Sequence, residues 1–387
     1  MIIVLVVDVY DDLTNGTTMT AYRFAQMLRR RGHEVRVVAV AGKEHNPYAV
    51  RELTCPVATS FAHKQGFAFA KSDEAVFRKA FQGADVAHFL LPLPFECKAA
   101  KIAREMGVPC SAAFHLQPEN ITYITHTDKV NWLVPFIYRF FNKTFYKNFD
   151  HIHCPSRFIA SQLEQNGYQA KLHVISNGVD DDFIPTRSEK QQEQLSQEED
   201  GLFRILMIGR LSPEKRQRVL IEAVQQSRYA DKIQLYLAGK GPCKEALIRQ
   251  GEKLPHPPVF GFYQKEALIS LIHSCDLYVH ASVIEIEAIS CMEAFSCGLV
   301  PVICNSPRSA TPQFALDDRS LFEPDNAADL ARKIDYWIEH PEERAAMSVE
   351  YAKEGDQYRV NQSIIAAERM FEEVIRDDKA KRGKQDA

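Results

Sequence analysis

No stretch of the 387-residue chain is apolar for long enough to span a bilayer, which takes about 18 residues or more. The apolar start at residues 1–9 has no basic segment ahead of it, so neither a spanning helix nor a secretion leader is expected. No C-x-x-C pair occurs among the nine cysteines, which therefore read as free thiols in a reducing cytosol rather than as the paired ligands of a zinc site. Charge of one sign is missing too. With a formal net charge of −4 there is no global attraction to nucleic acid, and no nucleic-acid partner is expected. Any contact with phosphate or membrane has to come from local patches.

Hydrophobic content of 45% and charged content of 25% are those of a soluble globular protein long enough for two ordinary domains. The chain opens on a βαβ pattern: a strand at 2–9, a polar loop with Asn15 and Gly16, a helix at 20–31 that stops at Gly32, and a second strand. Strands follow at 86–91 and 108–114, with a helix between them ending at Gly107. Residues 187–201 are polar, with Leu195 the one large apolar residue, and cannot bury a face. The pattern restarts at 204–208. Domains are therefore expected at 1–185 and 202–357 with a linker at 186–201, and a final apolar periodicity at 361–375 before a basic, solvated end.

Two carboxylates, Glu285 and Glu293, stand eight positions apart in EIEAISCMEAFSCGLVPV, residues 285–302. Glu285 falls in the loop between a strand at 277–280 and a helix at 290–297, and Glu293 lies about two turns into that stretch. Unpaired N–H groups at such a helix start attract anions, while a carboxylate only accepts hydrogen bonds, so the pair suits a ligand with phosphates and hydroxyls together. Arg210 and Lys215, in GRLSPEKR after the strand at 204–208, are placed to neutralise a diphosphate, Arg with two prongs and Lys as a point charge. His115 closes the strand at 108–114. His151, His153 and Cys154 read as an alternating strand rather than a metal site, and no metal is expected. The segment 132–149 is the most unusual: eight aromatic residues, with Arg139, Lys143 and Lys147 on one helical face. Trp132, Phe136 and Phe140 beside that basic stripe fit either a helix lying in an anionic membrane interface or a core helix whose basic side chains reach water.

The Glu285 and Glu293 spacing resembles the E-x7-E signature of the family 4 glycosyltransferases, retaining enzymes of the GT-B fold, and GRLSPEKR resembles their diphosphate element. The resemblance implies an α/β protein of two Rossmann-like, doubly wound domains facing a cleft, with a last helix, about 358–378, crossing back to the first domain. It places Glu285 and His115 on the donor sugar and Glu293 on the ribose. Arg210, Lys215 and Gly209 would meet the diphosphate, Gly239 and Gly241 the nucleotide, and Phe262 the base. Gly16 corresponds to the glycine-bearing first loop, with Asn15 where a first glycine is common. After Glu285 many members have Gly-Phe-Gly, whereas this chain has Ile286, Glu287 and Ala288. A third carboxylate at Glu287 is tolerable beside a diphosphate only if it points away.

The phrase 285–316 is most similar to bacterial diacylglycerol glucosyltransferases. The expected activity is transfer of a hexose, glucose first, from a UDP-sugar to a lipid hydroxyl such as diacylglycerol, without cofactor or metal. The leaving diphosphate, steadied by Arg210 and Lys215, would take the acceptor proton. A cytoplasmic protein, peripheral on the inner face of the membrane, fits that reading. A nucleotide-sugar epimerase of the same architecture and a non-catalytic binding protein of that fold are the alternatives.

Overall fold

Apolar runs without alternation belong to strands covered on both faces, and a chain that alternates such runs with helices builds parallel sheets. The computed structural model describes residues 1–10, 16–42, 46–54, 59, 68–185 and 201–385, so Asn15 and nearly all of the expected linker lie outside the described residues. The chain divides into two units: Met1–Asn177 together with Asn361–Ala387, and Gly178–Val360.

In the first unit β1 (Ile2–Val6), β2 (Glu34–Val40), β3 (Ala49–Val50), β4 (Val86–Phe89), β5 (Cys110–Ala113), β6 (His151–Cys154) and β7 (Lys171–Val174) form one sheet in the order β3-β2-β1-β4-β5-β6-β7. Its pairs are parallel. Helices α1 (Gly16–Arg30), α2 (Glu74–Phe81), α3 (Pro94–Glu105), α4 (Pro118–Ile124), α5 (Leu133–Thr144) and α6 (Arg157–Gln165) connect the strands. Ser156 caps α6 by accepting the Ile159 N–H at 3.3 Å, as its position before the helix predicts. α1 begins at Gly16, earlier than the expected residue 20. The Thr20 hydroxyl donates to the Gly16 carbonyl at 2.9 Å, so that turn is already helical and Gly16 opens the helix.

The second unit repeats the design with β8 (Phe203–Ile208), β9 (Ile233–Ala238), β10 (Val259–Gly261), β11 (Leu277–His280), β12 (Pro301–Cys304) and β13 (Leu321–Phe322), all parallel, in the order β10-β9-β8-β11-β12-β13. Its helices are α7 (Gln217–Gln226), α8 (Lys244–Gly251), α9 (Lys265–His273), α10 (Ile289–Ser296), α11 (Ala327–Glu339) and α12 (Pro341–Gly355). The last helix, α13 (Val360–Gln385), returns the chain to the first unit. Its basic end is exposed, as expected, but it stays helical beyond residue 378 to Gln385. There the Arg382 guanidinium donates to the Gly107 carbonyl at 2.7 Å and Lys381 pairs with Asp150 at 2.5 Å, so two of its solvated side chains also find protein acceptors.

The aromatic segment divides its duties. α5 stops at Thr144 and a short 3-10 turn, Tyr146–Asn148, follows. Tyr138, Phe141, Phe145, Tyr146 and Phe149 are buried, with Tyr138 stacked on Phe114 at 5.8 Å. Trp132, Phe136 and Phe140 instead remain 66%, 54% and 52% exposed, in one ring-to-ring stripe. Arg139 and Lys143 are exposed on the same helix, but Lys147, expected on their face, is exposed in the 3-10 turn beyond its end, because the helix stops at Thr144. Among the described residues no helix is long and apolar enough to cross a membrane.

Candidate active site

Adjacent strands whose connections leave in opposite directions open a crevice at their carboxyl ends. In the second unit β8 and β11 are that pair, and the loops after them carry GRLSPEKR and Glu285. The two loops are tied together: the Val283 N–H donates to the Glu214 carbonyl at 3.0 Å, and the Ala310 N–H holds the Glu285 carbonyl at 2.9 Å. Lys215, at the end of the 3-10 turn Pro213–Lys215, reaches Glu285 Oε1 with its ammonium at 2.5 Å, and the His280 Nε2 lies 3.1 Å from the same oxygen. Burial alone would raise the Glu285 pKa, but the Lys215 charge and the His280 hydrogen bond outweigh it and hold the carboxyl at about 2. A carboxylate fixed in its ionised form beside an ammonium is therefore what the two loops assemble.

Gly209 follows β8 at φ +154°, and Arg210 beside it is half-buried on the same loop. Gly239 and Gly241 are not the flexible residues their type suggests. A Cβ on Gly239 would stand 1.9 Å from the Gly209 carbonyl oxygen, and one on Gly241 2.3 Å from that of Leu211, because hydrogen bonds run on past the strand ends from Gly209 N to Ala238 O and from Leu211 N to Lys240 O, each 2.9 Å. They let two backbones touch and so shape the loop that carries Arg210 and Lys215. Phe262, after β10, is 49% exposed with the Lys240 ammonium 4.1 Å from its ring centre. Ile286 follows Glu285, and Ala288 takes the left-handed conformation at φ +70° to open α10. Glu287 and Glu293 are both buried. Tyr278, His280 and Ser290, which line up behind Glu285, are the residues sequence reasoning passed over. The alternation of β11, which puts Tyr278 and His280 on one face, is the signal that could have found them.

Two family models divide the chain between them: "Glycosyltransferase Family 4" matches residues 14–183 and "Glycosyl transferases group 1" residues 187–355. The chain belongs to the family 4 glycosyltransferases. Their GT-B fold is the one described above. The alpha-monoglucosyldiacylglycerol synthase of Streptococcus pneumoniae is 25% identical over 314 residues, which are 78% of this chain and 70% of that protein. The catalytic domain of the cholesterol-alpha-glucosyltransferase of Helicobacter pylori is 52% identical, covering 40% of this chain and 98% of that one at a TM-score of 0.40. Anabaena HepE, solved with UDP-glucose, is 20% identical over 96% of this chain and 99% of that one, with a TM-score of 0.72.

In the first unit of this glycosyltransferase His115 sits just past β5, buried, its ring edge-on to His153 with 5.4 Å between centres. His153 donates from Nε2 to the Ile175 carbonyl at 2.7 Å, and His88 Nδ1 lies 2.9 Å from the Ser111 hydroxyl. Burial first, and the neighbouring imidazoles second, push His115 down to about 3 and His88 well below its ordinary value; burial likewise takes His153 down to about 4. His115 is thus a neutral hydrogen-bonding group near pH 7. Among the described residues one set, His151, His173 and Glu373, brings three metal-type ligand atoms within 4.8 Å. His151 and His173 already share a hydrogen bond of 3.0 Å and Glu373 pairs with Lys171, so each has a protein partner in place of an ion.

The buried histidines make stability depend on pH. Neutral in the folded unit, His88, His115 and His153 take up protons on unfolding below their ordinary pKa of about 6.5. Their contribution is therefore complete above that value and is lost as pH falls towards 4. Asp8, raised by burial to about 6, and Glu96, raised well above its ordinary value, act in the opposite sense by releasing protons on unfolding. Three groups take up protons and two release them, so stability is expected to fall as the pH drops below about 6.5. His151 and His173, also lowered chiefly by burial, add to it. Thermal melts are expected to give a lower Tm at pH 5 than at pH 7. A Tm that rises on acidification would contradict a neutral histidine cluster.

Proposed function

We propose that the chain is a retaining, metal-independent hexosyltransferase that moves glucose from UDP-glucose to a lipid hydroxyl at a membrane surface, with diacylglycerol the first acceptor to test. The observation that carries this reading is the Lys215–Glu285 pair at the carboxyl ends of β8 and β11. Lys215 and Arg210 offer cationic donors to a diphosphate. The oxygen of Glu285 that neither Lys215 nor His280 holds can accept from sugar hydroxyls. Glu293 is assigned to the ribose and Phe262 to the base. In the first unit, a neutral His115 offers a hydrogen bond to a hydroxyl.

In the transfer step the bond from the anomeric carbon to the phosphate oxygen breaks and one to the acceptor oxygen forms on the same face. The acceptor proton passes to the departing phosphate, whose charge Arg210 and Lys215 stabilise. The streptococcal relative supports a glucosyl group and a diacylglycerol acceptor. The exposed stripe of Trp132, Phe136 and Phe140, with Arg139 and Lys143 on the same helix and Lys147 exposed just past its end, supports an interfacial helix, since aromatic rings favour the headgroup level and cations favour anionic lipid.

Vesicle co-sedimentation at rising salt, run alongside glucose transfer from labelled UDP-glucose, tests both halves. Replacing Arg139, Lys143 and Lys147 together with Gln is expected to remove about 3 kcal/mol of binding to anionic vesicles, roughly a hundredfold in partitioning. Label is expected in an organic-extractable glycolipid when diacylglycerol or a free sterol is supplied, the two arms deciding which lipid is taken. Equal sedimentation of wild type and variant would remove the interfacial helix. Label passing only to soluble sugars would remove the lipid acceptor, and turnover of donor alone would favour an epimerase.

A further inference from the structure

His280 is 1% exposed at the end of β11, and the transfer chemistry above gives it no task of its own. Its Nε2 lies 3.1 Å from Glu285 Oε1 and its Nδ1 3.1 Å from the Tyr278 hydroxyl. That hydroxyl is in turn 3.3 Å from the Ser290 Oγ, and Ser290 donates to the Ile208 carbonyl at 3.3 Å, which closes a chain of polar groups running from the end of β8 to the carboxylate. An ionised carboxylate has no proton to give, so the proton between His280 and Glu285 sits on Nε2. Whether Tyr278 gives its own proton to Nδ1 or to Ser290, that Nε2 proton stays where it is.

The second observation is which oxygen is held. Lys215 Nζ and His280 Nε2 both reach Oε1, and among the described residues nothing donates to Oε2. One oxygen is therefore an anchor and the other is open for a ligand. Lys215 is a flexible ammonium on a four-carbon stem, free to turn its donors towards a bound anion, whereas the His280 ring is fixed by burial and by Tyr278.

We infer that His280 is a positioning residue for the transfer reaction: through Nε2–H it fixes Oε1 of Glu285, so that Oε2 stays aimed at the sugar when Lys215 turns to the diphosphate. The inference rests on the donor-site reading of Glu285. Two substitutions and one spectrum test it. His280→Leu keeps the volume and removes the donor. It is expected to lower kcat for glucose transfer from UDP-glucose to dioleoylglycerol vesicles about ten- to hundredfold, the range for losing a buried hydrogen bond to a charged group. UDP affinity by calorimetry is expected to stay within about twofold of wild type, which also reports that the variant is folded. His280→Gln sets an amide N–H near the position of Nε2 and is expected to recover most of the lost rate, which a merely space-filling role would not do. In the wild-type protein, imidazole nitrogen shifts by NMR are expected to show Nε2 of His280 protonated. A folded His280→Leu with wild-type kcat, a Gln variant as slow as Leu, or an unprotonated Nε2 would each overturn the assignment. If instead Glu285→Gln turns over like wild type, the donor-site reading fails, and the NMR arm still decides whether His280 holds Glu285.

Discussion

Lys215→Ala is expected to lower both folding stability and UDP affinity, and the two losses have separate causes. Glu285 is an ionised side chain only 12% exposed, and the Lys215 charge is the largest single influence that keeps it charged there. Breaking a pair of this kind leaves the buried charge with only the His280 hydrogen bond and costs about 3 kcal/mol. The folded-state pKa of Glu285 is depressed, so the pair stabilises the protein fully above the ordinary carboxylate value near 4.3 and its contribution fades as pH falls towards about 2. In the variant that pKa rises, and the stability lost at pH 7 should shrink on acidification. The affinity loss would follow from the proposed contact of Lys215 with the diphosphate, one charge-assisted bond of about 1.5–3 kcal/mol, or roughly ten- to hundredfold in Kd. Urea unfolding at pH 7 and pH 4 with calorimetric titration of UDP measures both. Unchanged stability together with unchanged UDP affinity would remove Lys215 from the site.

Gly239→Ala should be as damaging to the fold, because the new methyl would stand 1.9 Å from the Gly209 carbonyl oxygen. Backbone meets backbone there, so no side chain can rotate away; the loop carrying Arg210 and Lys215 must shift. A loss of about 3 kcal/mol or more, at the upper end of overpacking, is expected. UDP binding should fall with it. Gly16→Ala is the control: among the described residues nothing lies within 4 Å of a Cβ there, and Gly16 opens a helix. Its stability should change by less than about 0.5 kcal/mol, or improve slightly, since alanine is the better helix former. A rise in KM for UDP-glucose in a Gly16→Ala protein of full stability would then mark a close approach of ligand to that backbone. Equal melting of both variants would show that the tight packing of Gly239 is not what holds the loop.

Local signals carried much of this architecture. Apolar runs ending in glycine marked the βαβ units, and the loop after residues 277–280 put Glu285 at a strand end before any strand order was known. What remained hidden depends on which strands are neighbours. Gly239 and Gly241 look like ordinary turn glycines until β8 and β9 are side by side, when their lack of a Cβ becomes a requirement. His88 and His153 gather around His115 only because the register sets His88 against Ser111 and Ala113 against His153. His280 is similar: its place beside Tyr278 is readable from the period of a strand, but its role follows from Lys215 arriving on the adjacent loop. The basic end of α13 is exposed as its composition implies, but the acceptors of Arg382 and Lys381 lie on segments more than two hundred residues earlier, which no local signal shows.

The Lys215–Glu285 pair is proposed here as the donor site of a UDP-glucose-dependent transferase. The most direct measurement is single-turnover transfer of labelled glucose from UDP-glucose by wild type and by Glu285→Gln, with UDP binding measured on both. The amide keeps the shape but loses the charge that, in the proposed site, would stabilise the developing positive anomeric carbon. The rate is therefore expected to fall at least a hundredfold while UDP affinity changes by less than about threefold. Wild-type protein that leaves UDP-glucose untouched, or a Glu285→Gln variant that transfers glucose at the wild-type rate, would contradict it.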